Sequence, residues 1–153
     1  MNTTFVHFLD ANKNVILQQW LDSTLEIFPE RMGTGTPISE VFSVALEKIL
    51  SELGNGDNNC RTALDDVTRI LAIQTFQPSK ALSMFLELKK ILHQMMMKSN
   101  VADISIQEDV FSRIDLLTLD AFDSYMSHRE KIYQLKVEEG KRQMFMALRR
   151  AEA

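Results

Sequence analysis

The sequence predicts an all-α single domain, and three observations lead to this prediction. Apolar residues recur at three- and four-residue spacing along most of the chain, as they do on one face of an amphipathic helix. No segment alternates apolar and polar residues as a strand does. The 153 residues are 45% hydrophobic and 25% charged, which suits one soluble globular domain with a sizeable core. We therefore expect residues 1–153 to form a single helical domain.

The first helix is predicted over residues 4–28, with a hinge near Ala11-Asn12. Pro29 ends it because proline cannot continue the backbone hydrogen bonds. Its apolar face comprises Phe5, Phe8, Leu9, Ile16, Trp20 and Ile27.

The second helix follows a loop at residues 30–35. Thr36 supplies an N-cap hydroxyl and Pro37 fits the first turn. Gly54 is predicted to end the helix as its C′ residue. The apolar face comprises Ile38, Val41, Phe42, Ala45, Leu46, Ile49 and Leu53.

The third and fourth helices are predicted on either side of Pro78. Asp57 or Asn58 caps the third helix, and Pro78 closes it. The fourth helix starts at Pro78-Ser79 and ends where Ser99-Asn100 breaks the pattern, near residue 98. The two apolar faces comprise Ala63, Leu64, Val67, Ile70, Leu71 and Gln74, and then Ala81, Phe85, Leu88, Leu92 and Met95.

The last helix is predicted from Ser105 to Arg150, without proline and with one glycine, Gly140. A straight helix of this length spans roughly 70 Å, whereas a domain of this size has a radius of gyration of about 15 Å. The second half must therefore leave the globule or bend at Gly140, and we expect residues 127–153 to protrude. The first half carries an apolar stripe of Val110, Ile114, Leu117 and Ala121, with Phe111, Phe122 and Tyr125 alongside.

The helix faces predict one shared hydrophobic core. Its expected members are large apolar residues from four of the helices: Trp20, Leu64, Val67, Phe85, Ile114, Leu117 and Phe122.

The distribution of charge limits the class of partner. The net charge of −4 argues against nucleic acid as a partner of the whole protein. Residues 129–150 carry seven basic and three acidic side chains, a net +4, which leaves −8 for the rest. Such a basic helix could contact an acidic partner or the body of a second copy, although a solvated helix surface has the same composition.

The chain also lacks targeting and disulfide signals. The one cysteine, Cys60, excludes an intramolecular disulfide and suits a reducing compartment. The N-terminal residues do not resemble a signal peptide, and no run of eighteen apolar residues occurs. We expect a cytoplasmic protein with no membrane span.

No motif for catalysis or metal binding is found. His7, His93 and His128 lack ligand spacing. His93 permits a haem hypothesis in a chain of globin size, although a histidine at the helix surface is the simpler interpretation. Asp65-Asp66 precede Arg69 by four and three positions, where ion pairing competes with acid–base chemistry. We expect no enzyme activity, no cofactor and no metal.

Three segments carry a family resemblance: FLDANKNVILQQWL (8–21), LDDVTRILAIQTFQPSKAL (64–82) and LDAFDSYMSHREKIYQLKVEEGKRQMF (119–145). Together they resemble the N-terminal sensory domain of RsbRD-type RsbT co-antagonists, which are bacterial stressosome proteins. The resemblance covers nearly the whole chain. It implies a globin-like helical fold without haem, dimerisation, and a family-motif polar network of Asp65, Asp66, Arg69, Gln74 and Asp123. The family's C-terminal STAS domain is not expected here, because the sequence ends at Ala153. The signal sensed does not transfer by resemblance.

These observations predict a non-catalytic sensory or regulatory module that dimerises and contacts partners through its last helix. Possible partners are a second copy and a signalling protein. Ile132, Leu135 and Met146 form a heptad-like seam that Glu139 and Arg142 interrupt, and Leu135→Asp should weaken the dimer. The expected interaction residues are Tyr125, Arg129, Ile132, Tyr133, Leu135, Val137, Met144, Phe145, Met146 and Leu148.

A globin-like haem or small-ligand protein is the alternative function, and an antiparallel helical bundle is the alternative fold.

Overall fold

The computed structural model describes residues 3–29, 35–55, 60–101 and 103–152. In these residues the regular structure consists of helices, which confirms the all-α class. The five helices are α1 (Thr3–Leu25), α2 (Pro37–Asn55), α3 (Arg61–Ile73), α4 (Pro78–Lys98) and α5 (Ile104–Glu152). The long last helix is confirmed: α5 contains 49 residues and passes through Gly140 without interruption.

The helices enclose one core. α1 packs against α2 and α4, α5 packs against α3 and α4, and α2 packs against α3. The order of neighbours is therefore α1, α2, α3, α5, α4 and back to α1. The globin-like arrangement implied by the resemblance stays a prediction.

The start of α2 follows the predicted signal. Pro37 is its first residue, and the backbone N–H of Ser39 donates to Oγ1 of Thr36 at 3.2 Å. The hinge predicted in α1 is wrong, because the helix continues through Ala11 and Asn12. Asn12 instead donates from its side chain to the Phe8 carbonyl at 2.8 Å within the helix.

The predicted caps of α3, Asp57 and Asn58, lie outside the described residues. Cys60 precedes the first residue of α3 and makes no side-chain cap. At the end of α4, Asn100 adopts a left-handed conformation with φ 57°, and the N–H of Val101 donates to the Met96 carbonyl at 3.0 Å. This is a Schellman ending, which confirms the predicted break at Ser99-Asn100.

Gly54 has a different role from the predicted one. It lies inside α2 and not at its C′ position, since the helix continues to Asn55. A Cβ atom at residue 54 would lie 2.8 Å from a methyl carbon of Leu9. Any side chain at residue 54 would require Leu9 to shift, so glycine suits the close approach of α1 and α2 at this point.

Six of the seven predicted core residues are buried, with Trp20 at the centre. The indole N–H of Trp20 donates to the Met84 carbonyl at 2.8 Å, so the buried ring leaves no donor unpaired. The seventh, Phe122, was predicted wrongly and is 42% exposed. The core face of α5 is formed by Val110, Ile114, Leu117, Ala121 and Tyr125, and Phe122 lies about 100° from Ala121 around the helix.

Helices that could cross a bilayer were sought in the described parts of the chain. None of them is both long enough and apolar enough to do so.

Candidate functional site

The second half of α5 extends away from the body. Every residue from Tyr133 to Glu152 is exposed, and we call residues 133–152 the stalk. Ile132, immediately before it, is half-buried and packs against the core. The helix therefore leaves the body at Ile132, about five residues later than the expected protruding segment of 127–153, because His128, Arg129 and Ile132 still lie against the body.

Four polar contacts connect α5 to α3 and to the α3–α4 connection just before the stalk begins. We call this set the exit seam; it comprises Ser124–Thr68, Tyr125–Phe76, His128–Asp65 and Arg129–Ala72. The first joins the Oγ atoms of Ser124 and Thr68 at 2.7 Å. Another brings Nε2 of His128 to 2.8 Å from a carboxylate oxygen of Asp65.

The other two contacts use backbone carbonyls near the end of α3. The Tyr125 hydroxyl donates to the Phe76 carbonyl. Nη1 of Arg129 donates to the Ala72 carbonyl at 3.0 Å, and the positive guanidinium suits the negative end of the helix dipole. The Ala72 carbonyl also accepts from the backbone N–H of Thr75 at 3.2 Å, so Arg129 adds a second donor to it.

Arg129 also reaches the stalk. Its Nη2 donates to the Tyr133 hydroxyl at 3.1 Å, and its guanidinium lies 5.0 Å from the centre of the Tyr133 ring. One side chain therefore links the last turn of α3 to the first residue of the stalk.

Tyr125 was expected at an interface between chains, and the structure corrects this expectation. Its side chain is fully buried within one chain, because it continues the core face of α5. Burial raises the pKa of the Tyr125 phenol, and the nearby charge of Arg129 partly opposes that shift. The phenol therefore remains neutral and serves as a hydrogen-bond donor.

The ion pairs expected on α3 are present. Arg69 contacts Oδ2 of Asp65 and lies 3.6 Å from Oδ1 of Asp66. Asp65 thus bonds Arg69 with one oxygen and His128 with the other. No sequence motif predicted a partner for His128, although its position three residues after Tyr125 places it near the core face.

The other two residues of the expected polar network take no part in these ion pairs. Gln74 is half-buried at the end of α3, where its backbone N–H donates to the Ile70 carbonyl at 3.3 Å. Asp123 is exposed on α5. The ion pairs and the exit seam share only Asp65.

An open cleft of about 510 Å³ lies between α3 and α5 beside the exit seam. Its lining is Arg61, Thr62, Leu64, Asp65, Asp120, Asp123 and Ser124. Three of these side chains are acidic. Within the part of the chain that the structure describes, no three His, Cys, Asp or Glu side chains are grouped so as to hold a metal ion.

His93 and Cys60 occupy contrasting environments. His93 is exposed on α4, with its ring 6.1 Å from that of Phe111, and lacks the apolar surroundings of a haem-binding histidine. Cys60 is buried, and desolvation raises the pKa of its thiol from 9.0 to about 11, with Glu52 adding to the shift. A thiol with this pKa is a weak nucleophile at neutral pH.

The stalk presents many apolar side chains to solvent. Each is at least half exposed, and the most exposed, Met144, reaches 67%. The set is Tyr133, Leu135, Val137, Met144, Phe145, Met146 and Leu148, all of which were expected interaction residues. Charged side chains surround them, so the stalk combines an apolar surface with a basic one.

Comparison with known proteins gives little functional information. No protein-family model matches the chain, and no solved structure matches it. A protein of Archaeoglobus fulgidus, described as uncharacterized, is 28% identical over 138 residues. The aligned region covers 84% of this chain and 84% of that protein.

Proposed function

We propose that this chain is a non-catalytic regulatory module of the stressosome co-antagonist sensory type, acting in the cytoplasm. It forms a homodimer through its last helix and presents that helix to a signalling protein in the stress response. The observation that carries the proposal is the stalk, a continuous helical extension with seven apolar side chains at least half exposed. Apolar surface of this kind is typical of a site for protein association.

The free-energy cost of leaving the apolar stalk side chains in water favours association through the stalk. Leaving a large apolar side chain in water forfeits roughly 1.5–3 kcal/mol relative to burying it. The body cannot cover these residues, since α5 has already left it at Ile132. A second protein surface is the available means of covering them.

The exit seam supports a regulatory role for the body. A change in the body that moved the last turn of α3 would act on Arg129, which donates to the Ala72 carbonyl there. A change that moved the α3–α4 connection would act on Tyr125, which donates to the Phe76 carbonyl. Arg129 in turn contacts Tyr133, the first stalk residue. The seam thus offers a physical connection by which the state of the body biases the direction of the stalk.

The alternative function, haem binding of the globin type, receives no support from His93. That side chain is exposed, whereas haem ligation needs a histidine within an apolar pocket.

Light scattering on the full chain at tens of micromolar tests the proposal, since concentrations of this order populate micromolar complexes. The expected mass is twice the chain mass of 17.6 kDa. A variant carrying Tyr133→Gln, Leu135→Gln, Val137→Gln and Leu148→Gln should be monomeric with unchanged helix content, because glutamine is a good helix former.

Val44→Gln with Ile73→Gln provides the matched control. These two side chains are 71% and 61% exposed, as apolar as those of the stalk, but they lie on the body. The control should remain dimeric. A monomeric wild-type chain, or a stalk variant that still dimerises, would contradict the proposal.

A further inference from the structure

The outer face of α5 carries an apolar pattern that repeats every eleven residues. Phe122, Tyr133 and Met144 are spaced by eleven, and so are Met126, Val137 and Leu148. We call these six residues the outer stripe. An eleven-residue repeat corresponds to 3.67 residues per turn, close to the 3.6 of an unstrained helix, so the stripe stays on one side of a nearly straight helix.

The outer stripe is continuous with exposed apolar residues on the body. Leu116 and Leu119 are 59% and 63% exposed, and Phe122 is 42% exposed. All lie on the side of α5 that faces away from the core. The first half of α5 therefore offers the same kind of surface as the stalk, along one line.

Charge divides α5 into two halves of opposite sign. Residues 104–128 contain five acidic side chains and one arginine, a net −4 with neutral histidine. Residues 129–150 carry a net +4 from seven basic and three acidic side chains. Two parallel copies would place like charges together along the whole helix. Two antiparallel copies that cross near Tyr133 would place residues 138–150 of one helix, with a net charge of +2, along residues 116–128 of the other, with a net charge of −2.

The geometry points to a second copy of this chain as the occupant of the outer stripe, running antiparallel and centred near Tyr133. This inference rests on the proposed dimer and specifies its partner face and direction. In this arrangement Phe122 meets Met144 of the second copy, and Met126 meets Gly140 of the second copy. Asp123 approaches Lys141 of the second copy. Each stalk covers the exposed side of the other chain's body.

Gly140 fits this arrangement. It lies within the helix, and a Cβ atom there would meet nothing within 4 Å in the single chain. Glycine in an exposed helix interior is destabilising relative to alanine. An antiparallel copy places the long Met126 side chain over this position, where the missing Cβ leaves room for it.

The area is sufficient for a stable dimer. The five exposed outer-stripe residues, with Leu116 and Leu119, make seven apolar side chains per copy. If each loses on the order of 100 Å², one copy buries about 700 Å², close to the usual share of about 800 Å² in a specific interface.

The heptad-like seam is a weaker surface. Ile132, like Met126 of the outer stripe, is half-buried against the core. Glu139 and Arg142 interrupt the rest of the heptad-like seam, whereas the other five outer-stripe residues are exposed. Leu135 and Met146 lie on nearly the opposite side of the helix from Met144. We therefore expect Leu135→Asp to leave the dimer intact, in contrast to the expectation from heptad spacing.

Spin-label distances on the full chain separate the two directions. Labels are attached at Gln134→Cys or at Ala151→Cys in a Cys60→Ala background, and the distance between the two copies is measured by pulsed electron resonance. About Tyr133, antiparallel pairing places labels at 134 within about 20 Å and labels at 151 roughly 50 Å apart, from a rise of 1.5 Å per residue. Excess unlabelled chain should remove both signals.

The other outcomes overturn the inference. Short distances at both positions would mean a parallel dimer, which leaves the proposed function intact. Long distances at both would mean association through another surface. A monomer by light scattering would defeat the proposed function as well.

A matched pair of variants tests the face. Met144→Asp lies on the outer stripe and should raise the dimer Kd by about a hundredfold, because it places a charge in an apolar contact. Met146→Asp, the same change two residues later, should alter the Kd by less than about threefold. Equal effects of the two variants would overturn the assignment of the face.

Salt dependence tests the direction independently. Between 50 and 500 mM salt, antiparallel pairing of opposite charges predicts a rise in Kd of about tenfold, since salt screens attraction. Parallel pairing predicts a fall in Kd, since salt would then screen repulsion. A Kd that falls or stays constant would contradict the antiparallel direction.

Discussion

The two halves of α5 have similar apolar side chains but opposite environments. In the first half, Ile114 and Tyr125 are fully buried, whereas Leu135 and Met144 in the second half are 65% and 67% exposed. One unbroken helix contains both. Side-chain type therefore does not decide burial here. What decides it is whether another helix lies alongside, and α3 and α4 accompany only the first half.

Because one half of α5 is buried and the other exposed, apolar side chains in the two halves contribute to stability in different ways. A side chain in the first half stabilises the folded chain, and one in the stalk stabilises the chain only when a second surface covers it. Substitutions paired across the two halves measure this difference in energetic role.

The largest difference is expected between Ile114→Ala and Leu135→Ala. Ile114 is fully buried, so its truncation leaves a cavity and should cost about 2–5 kcal/mol of unfolding free energy. Leu135→Ala should change it by less than about 0.5 kcal/mol. Urea unfolding at one fixed chain concentration measures both. Comparable losses for the two variants would show that the stalk packs against its own body.

Thiol reactivity gives the next largest difference. Burial raises the pKa of Cys60 to about 11, so its thiolate fraction near pH 8 is about a hundredfold below that of a thiol with pKa 9.0. A cysteine introduced by Gln143→Cys, on the exposed stalk, should react at an ordinary rate. Timed alkylation with mass spectrometry distinguishes the two sites.

The same raised pKa predicts a loss of stability at alkaline pH. Between about pH 9 and 11 the Cys60 thiol ionises in the unfolded chain but stays protonated in the folded chain, so the free energy of unfolding should fall as the pH rises through this range.

Tyr125→Phe and Tyr133→Phe compare the two tyrosines of α5. The first removes the donor to the Phe76 carbonyl in a buried setting and should cost about 1–3 kcal/mol. The second removes an exposed hydroxyl that accepts from Arg129 and should cost less than about 0.5 kcal/mol. Thermal unfolding monitored by circular dichroism measures the loss of stability in both variants. A larger loss of stability for Tyr133→Phe than for Tyr125→Phe would show that Tyr125 is not the tyrosine that anchors α5.

The smallest effect is expected at Asp65. Its carboxylate pairs with Arg69 and His128 but remains partly exposed, so Asp65→Asn should cost less than about 1 kcal/mol. Asp66→Asn is the control, because Asp66 pairs with Arg69 whereas the contact of His128 is with Asp65. If Asp65→Asn destabilised the body by several kcal/mol, the exit seam would be a structural core element rather than an adjustable contact.

Sequence periodicity predicted the helices well because each carries a clear apolar face. The Thr36-Pro37 start and the break at Ser99-Asn100 follow from local backbone chemistry, which the sequence contains directly. Phe122 was misplaced because it neighbours Ala121, and a wide apolar stripe does not define its own edge. The sequence pattern at Gly54 resembled a helix end, whereas its cause is Leu9 on another helix.

The contacts of the exit seam could not be predicted from the sequence. The Asp65–Arg69 pair follows from spacing within one helix. His128 and Asp65, by contrast, are 63 residues apart, and their contact depends on how α3 and α5 pack. The bonds from Tyr125 and Arg129 end on backbone carbonyls, which no residue type identifies. Contacts of this kind require the tertiary structure.

Hydrogen exchange at two chain concentrations tests most directly whether a second surface covers the stalk. Most helical stability in proteins comes from tertiary packing, which the stalk of a lone chain lacks. Amides of residues 133–152 should therefore exchange rapidly near 1 µM and become protected near 50 µM, a range that spans micromolar association. Core amides around Trp20 should exchange equally slowly at both concentrations. Stalk amides that exchange at the same rate at both concentrations would contradict the account.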